Sequence, residues 1–156
     1  MADARTVANR FLELASTKGR SLTPMQLLKL VYIAHGWMLG LTDQPLINQK
    51  VEAWQYGPVI RDLYNSVRMY GRDPINAPVW SPGSDLTPAQ RHMIDQVYDI
   101  YGDLNGIQLS NITHMSGTPW DRTYRPGAFG SIIDNAVIED HYKQLAKERN
   151  EAEPVK

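Results

Sequence analysis

Thr23-Pro24-Met25-Gln26-Leu27-Leu28-Lys29-Leu30-Val31-Tyr32-Ile33-Ala34-His35-Gly36-Trp37-Met38-Leu39 is the stretch that decides the fold. Thr23 is an N-cap, Pro24 takes the first helical position, where no N–H is needed, and Gln26 can reach back as in a capping box. Such a cap contributes roughly 1 kcal/mol, so the helix start is firmly marked. At about 100° per residue, Leu27, Leu30, Val31, Ala34, Trp37 and Met38 form one broad apolar face. Leu28, Tyr32 and Leu39 flank it, and Ile33 nearly completes the circle. Only Lys29, Gly36 and Gly40 share the remaining stripe. A helix apolar almost all round is a central helix. Each buried Leu or Val stabilises by about 1.5–3 kcal/mol, so its removal would unfold the domain. Interrupted by Lys29, His35, Gly36 and Gly40, the run to Leu41 is too short and too mixed to span a bilayer.

Further helices follow outward from this one. Asp3 caps a helix from about Ala4 to Thr17, with Val7, Phe11, Leu14 and Ala15 on one face. Thr87-Pro88-Ala89-Gln90 repeats the capping device and opens a helix that ends before Gly102. Pro58 is expected to open another, carrying Val59, Leu63, Val67 and Tyr70, with Gly71 as its stop. The spacing of Leu109 and Ile112 predicts a helix near Asn105 to Met115, and Asp134 caps a last one through Ile138, Tyr142 and Leu145 to about Lys147 or beyond. Thr118-Pro119-Trp120-Asp121 caps a short helical turn. Ile47–Tyr56 and Ser131-Ile132-Ile133 have strand-like residues without helical period, able to pair as a small sheet. Prolines 74, 78 and 82 with Gly83 make 73–85 a loop. The expected fold is mainly α: a compact bundle of about six helices with a small β-hairpin or two short strands at one side, a single domain over 1–148 and a frayed tail over 149–156.

With 42% apolar and 21% charged residues, the 156-residue chain has the balance of a folded domain. Its net charge of −1 supplies no general attraction to nucleic acid or acidic lipid. Absence of cysteine excludes disulfides, thiolate metal sites and a cysteine nucleophile, and fits a reducing, cytoplasmic setting. The polar N-terminus lacks the apolar core of a signal peptide.

No catalytic or cofactor motif emerges. His35, His92, His114 and His141 form no H-E-x-x-H arrangement, no G-x-S-x-G presents a serine, and no glycine-rich phosphate loop is present. His114 reads as an imidazole fixing backbone near a helix end, with a catalytic role as the lesser alternative. Arg61, Asn65, Arg68 and Arg72 fall on nearly one helical line, with Arg72 just past Gly71, either a solvated face or a receptor for carboxylates or phosphates. Trp54 and Tyr56, two apart on a strand, would share a face, packing in the core or meeting a partner.

Four segments occur in order: Leu27-Leu28-Lys29-Leu30-Val31-Tyr32-Ile33-Ala34, Glu52-Ala53-Trp54-Gln55-Tyr56-Gly57-Pro58-Val59, Leu109-Ser110-Asn111-Ile112-Thr113-His114 and Pro119-Trp120. This pattern resembles the Panacea domain family, also described as SocA-like antitoxins and phage-associated GepA-type proteins, over roughly Leu22 to Tyr142. The resemblance implies a helical, non-enzymatic, cytoplasmic antitoxin of a toxin–antitoxin system or prophage, needing no cofactor. Its expected partner is a cognate toxin encoded nearby, neutralised by direct binding. The alternatives are a proteolytic adaptor that hands the toxin to an ATP-dependent protease, and a helical nucleic-acid-binding regulator using the arginine stripe. Motif or partner-binding residues are expected at Lys29, Tyr32, Trp54, Tyr56, Arg61, Arg68, His114 and Trp120.

Overall fold

The computed structural model describes residues 1–83 and 85–152, without the side chains of 151 and 152. Among them are seven α-helices: α1 (Ala4–Thr17), α2 (Pro24–Thr42), α3 (Arg61–Val67), α4 (Pro88–Tyr101), α5 (Gly106–His114), α6 (Pro119–Thr123) and α7 (Asn135–Ala152). Three strands, β1 (Val51–Trp54), β2 (Gly57–Val59) and β3 (Ser131–Ile133), form an antiparallel sheet in the order β2-β1-β3. The fold is mainly α with short strands, as the patterning predicts. No described helix is long and apolar enough to cross a membrane.

The capping signals act as read. Thr23 and Thr87 each complete a capping box with the glutamine three residues on, and Asn105 adds a third with Gln108. The Pro58 expectation is corrected. Pro58 lies in β2, opposite Ala53 of β1, and α3 begins at Arg61 with Ile60 as its cap. Proline has no N–H to give a ladder, which an outer strand tolerates. The Ile47–Tyr56 segment is likewise trimmed: the strand ends at Trp54, and Gln55 and Tyr56 form the hairpin turn. At the C-terminus α7 runs on to Ala152; the frayed tail expected from 149 lies, beyond Ala152, outside the described residues.

Helix α2 is buried from Leu27 through Leu39 without a break. Its polar and small stripe, expected to be the one face left over, is covered as well. A methyl group on Gly36 would run into the Tyr142 ring of α7. One on Gly40 would lie 2.7 Å from Tyr142 Cβ and 3.0 Å from its carbonyl carbon. The two glycines therefore let α7 approach closely, and Tyr142 packs edge-on against Trp37 (ring centroids 5.0 Å apart) and Tyr32 (6.4 Å). Arg149 on the same helix lies over Trp37, 4.7 Å from the ring centre, and donates to the Tyr101 hydroxyl at 2.9 Å.

His35, fully buried, ties α2 to two neighbours. Its Nε2–H donates to Asn135 Oδ1 at 3.0 Å, and Nδ1 accepts from the backbone N–H groups of Leu46 (3.3 Å) and Ile47 (3.4 Å). Burial pushes this imidazole below its ordinary pKa, against the smaller opposing pull of the Asn135 amide.

Two outcomes follow from this packing. Gly36→Ala should lower stability by about 1–3 kcal/mol, read by urea unfolding, because overpacking against Tyr142 exceeds the gain in helix propensity. For His35, the unfolded chain takes up a proton near pH 6.5 while the folded chain does so only at lower pH. Its contribution to stability is therefore present above about pH 6.5 and is lost as the pH falls towards the folded value. NMR titration should show a His35 ring that stays neutral below its ordinary pKa until the protein unfolds; an ordinary titration curve would contradict this.

Candidate functional site

Strand β1 alternates. Val51 and Ala53 point into the core, while Glu52 and Trp54 are half-buried on the opposite face. Glu52 and Trp54 meet Arg61, which projects from the first turn of α3. Arg61 grips Glu52 with two bonds, Nε to Oε2 at 2.9 Å and Nη2 to Oε1 at 2.7 Å. The Arg61 guanidinium holds the Glu52 carboxyl below the usual carboxylate range. It also lies over two rings, 5.3 Å from the centre of Trp54 and 5.6 Å from that of Phe129. Trp54 packs edge-on against Tyr64 at 4.9 Å and tilted against Phe129 at 5.3 Å. Gly130 makes this closeness attainable: a Cβ there would come within 2.7 Å of Glu52 Oε1.

Tyr56 at the hairpin tip and Phe129 are 74% and 75% exposed, so two large aromatic rings project from an otherwise ordered patch. Beside them lies a groove of about 620 Å³, walled by Met25 and Leu28 of α2, Tyr56 of the hairpin, Tyr124 and Phe129. Lys29 lines it too. That side chain is 4% exposed, and its Nζ donates to the Pro58 carbonyl at 2.9 Å. Burial pushes the Lys29 ammonium down to about 8. Gly57, with φ of 127°, permits the hairpin to sit here; a Cβ would stand 2.8 Å from Lys29 Nζ.

The hairpin is braced from behind. Trp120 Nε1 donates to the Trp54 carbonyl at 2.5 Å, and its ring stacks on Tyr124 with centroids 4.8 Å apart. His114 Nδ1 donates to the Ser110 carbonyl at 2.5 Å, and its ring stands edge-on to Trp120 at 5.6 Å. Ser110 Oγ donates to the Tyr56 carbonyl at 3.3 Å.

Of the residues singled out in the sequence, Lys29, Trp54, Tyr56, Arg61, His114 and Trp120 thus gather around one hairpin. Tyr32 does not: it is a core residue whose hydroxyl has no protein hydrogen bond among the described residues. Arg68 lies apart from the cluster as well. The α-helix ends at Val67 and a single 3₁₀ turn carries Arg68, while Arg61 is held by Glu52, so the four-residue stripe is not one line of free charges. Nothing in the sequence pattern singles out Phe129. Its signal, an aromatic enclosed in the glycine-bearing run Gly127-Ala128-Phe129-Gly130, has no period to reveal which way the ring faces. Among the described residues no three His, Asp or Glu side chains converge as a metal set.

Comparison with known proteins completes the picture. The family model described as "Antitoxin SocA-like, Panacea domain" matches residues 27–121. A curated protein of Caulobacter vibrioides (strain NA1000 / CB15N), named Antitoxin SocA, is 31% identical over 155 residues, spanning 90% of this chain and 82% of its own. No solved structure matches.

Gly57→Ala tests the joint between hairpin and central helix. A positive φ and crowding against a buried ammonium should together cost about 1–3 kcal/mol. Urea unfolding reads the loss, and an unchanged midpoint would show that the joint relaxes freely.

Proposed function

Because the chain belongs to the Panacea-domain family of SocA-like antitoxins, we propose that it neutralises a cognate toxin by binding that protein directly, through the hairpin face and without enzymatic chemistry. The observation that carries this reading is the exposed pair Tyr56 and Phe129, set beside Trp54 and an Arg61 already held in place by Glu52. Aromatic and arginine side chains in such settings supply most of the affinity at protein interfaces. Here their geometry exists before a partner arrives, which lowers the ordering cost of binding. Arg61 is stacked and doubly bonded, so one guanidinium edge serves the fold while its outer surface stays available. Trp120 and His114 act as supports that hold the hairpin from behind and do not themselves meet the toxin.

The test is co-expression of the tagged protein with the product of the neighbouring gene, scored by co-purification and by rescue of growth. The wild type is expected to give both. Tyr56→Ala combined with Phe129→Ala should weaken the complex by at least about tenfold and abolish rescue, while circular dichroism shows the variant still folded because both rings are largely exposed. Complex and rescue both surviving in that double variant would exclude this face as the interface. Rescue accompanied by disappearance of the toxin, and dependent on a protease, would replace occlusion by delivery for degradation.

A further inference from the structure

Lys29 presents a problem that the fold alone does not solve. Its ammonium is nearly sealed from solvent, yet among the described residues it has one acceptor, the Pro58 carbonyl, and no carboxylate within 4.0 Å. An ammonium carries three donors. Burying a charge without a counter-ion is costly, and the lowered pKa is the thermodynamic trace of that cost. A methionine would follow the same course along α2 without it. Two contacts explain where the side chain goes, the Pro58 carbonyl and Gly57, but neither requires a cation of full charge.

The surroundings say what kind of group would complete it. Lys29 lines the groove beside the hairpin, whose walls carry no arginine and no acidic side chain, and are mostly apolar: Met25, Leu28, Tyr56, Tyr124 and Phe129. A phosphate needs several converging donors, commonly arginines; one lysine in an apolar groove matches a single carboxylate. Because Lys29 lies almost covered beneath the hairpin, that carboxylate must arrive on a side-chain stem. We infer that this groove is a carboxylate-anchored docking site, taking a segment of the partner protein in which an Asp or Glu side chain meets Lys29 and apolar neighbours lie along Tyr56 and Phe129. This deepens the toxin-binding reading and rests on it: the aromatic face supplies contact area, and Lys29 selects an acidic residue within the docking segment.

The experiment uses the full chain with 13C-labelled lysine, without the toxin. Three pools of capped pentapeptides are titrated in, each with leucine and phenylalanine flanking the centre. One pool has a central Glu, a second a central Gln, and a third a central Gln with a free C-terminal carboxylate. The expected result is a saturable shift of the Lys29 side-chain resonances with the Glu pool, and binding at least about tenfold weaker with the Gln pool, as loss of a charge-assisted hydrogen bond demands. Lys29→Met should remain folded by circular dichroism, and should bind the Glu and Gln pools alike. Equal response to the Glu and Gln pools, silence at Lys29, or a response to the terminal carboxylate alone would overturn the assignment, whatever the toxin experiment gives. A Lys29 response in a protein that forms no complex with the neighbouring gene product would instead remove the toxin reading and keep the carboxylate site.

Discussion

The contact between α2 and everything around it is the constraint on which the rest of the structure depends. From Leu27 through Leu39 helix α2 is buried on all sides, so each of those positions specifies a neighbour and none specifies solvent. The three residues that break its apolar circle are the points of closest approach. Gly36 and Gly40 admit Tyr142 and thereby set the position of α7. Lys29 reaches the Pro58 carbonyl and sets the position of the hairpin. His35, one residue before Gly36, holds the loop at Leu46 and Ile47 and the start of α7 through Asn135. A change at any of these points is transmitted because a packed interior has no slack to absorb it.

From that centre the hairpin face is built in two steps. Alternation along β1 sends Val51 and Ala53 inward and turns Glu52 and Trp54 outward, so the core itself decides which residues reach the surface. Pairing on both sides then fixes β1, with β2 through the turn at Gln55 and Tyr56 and with β3 from the far end of the chain. Because β3 comes after Phe129 and Gly130, this second pairing brings Phe129 onto Trp54 and Arg61, more than sixty residues away in sequence. The Trp120 bond to the Trp54 carbonyl closes the support. An aromatic face ordered in this way by the fold itself would lose little conformational entropy in any complex.

Local chemistry was legible, and so was the pairing of the 47–56 segment with Ser131–Ile133; the side-chain contacts between distant segments were not. Capping boxes at Thr23, Thr87 and Asn105 use residues three apart, so the sequence carries both members of each interaction. Pro58 misled because the same proline chemistry suits a helix start and an outer strand, and only the partner strand decides between them. The arginine line is shorter than its spacing suggests for a related reason: a helical spacing describes a stripe only while the helix lasts, and α3 ends at Val67. Tyr32, a motif residue on the apolar flank of α2, is core, as that flank implies.

By itself, the sequence determined that a single helix would be central, where most helices begin, and which short motif would carry the family likeness. Those depend on periodicity and on contacts within a few residues. The tertiary structure decided what the Lys29–Gly36–Gly40 stripe is for, that Glu52 would be Arg61's partner, and that Phe129 would join Trp54. These depend on which segments the chain brings together across long loops, a choice made by burial of the whole core and by no residue pair that local spacing can reveal.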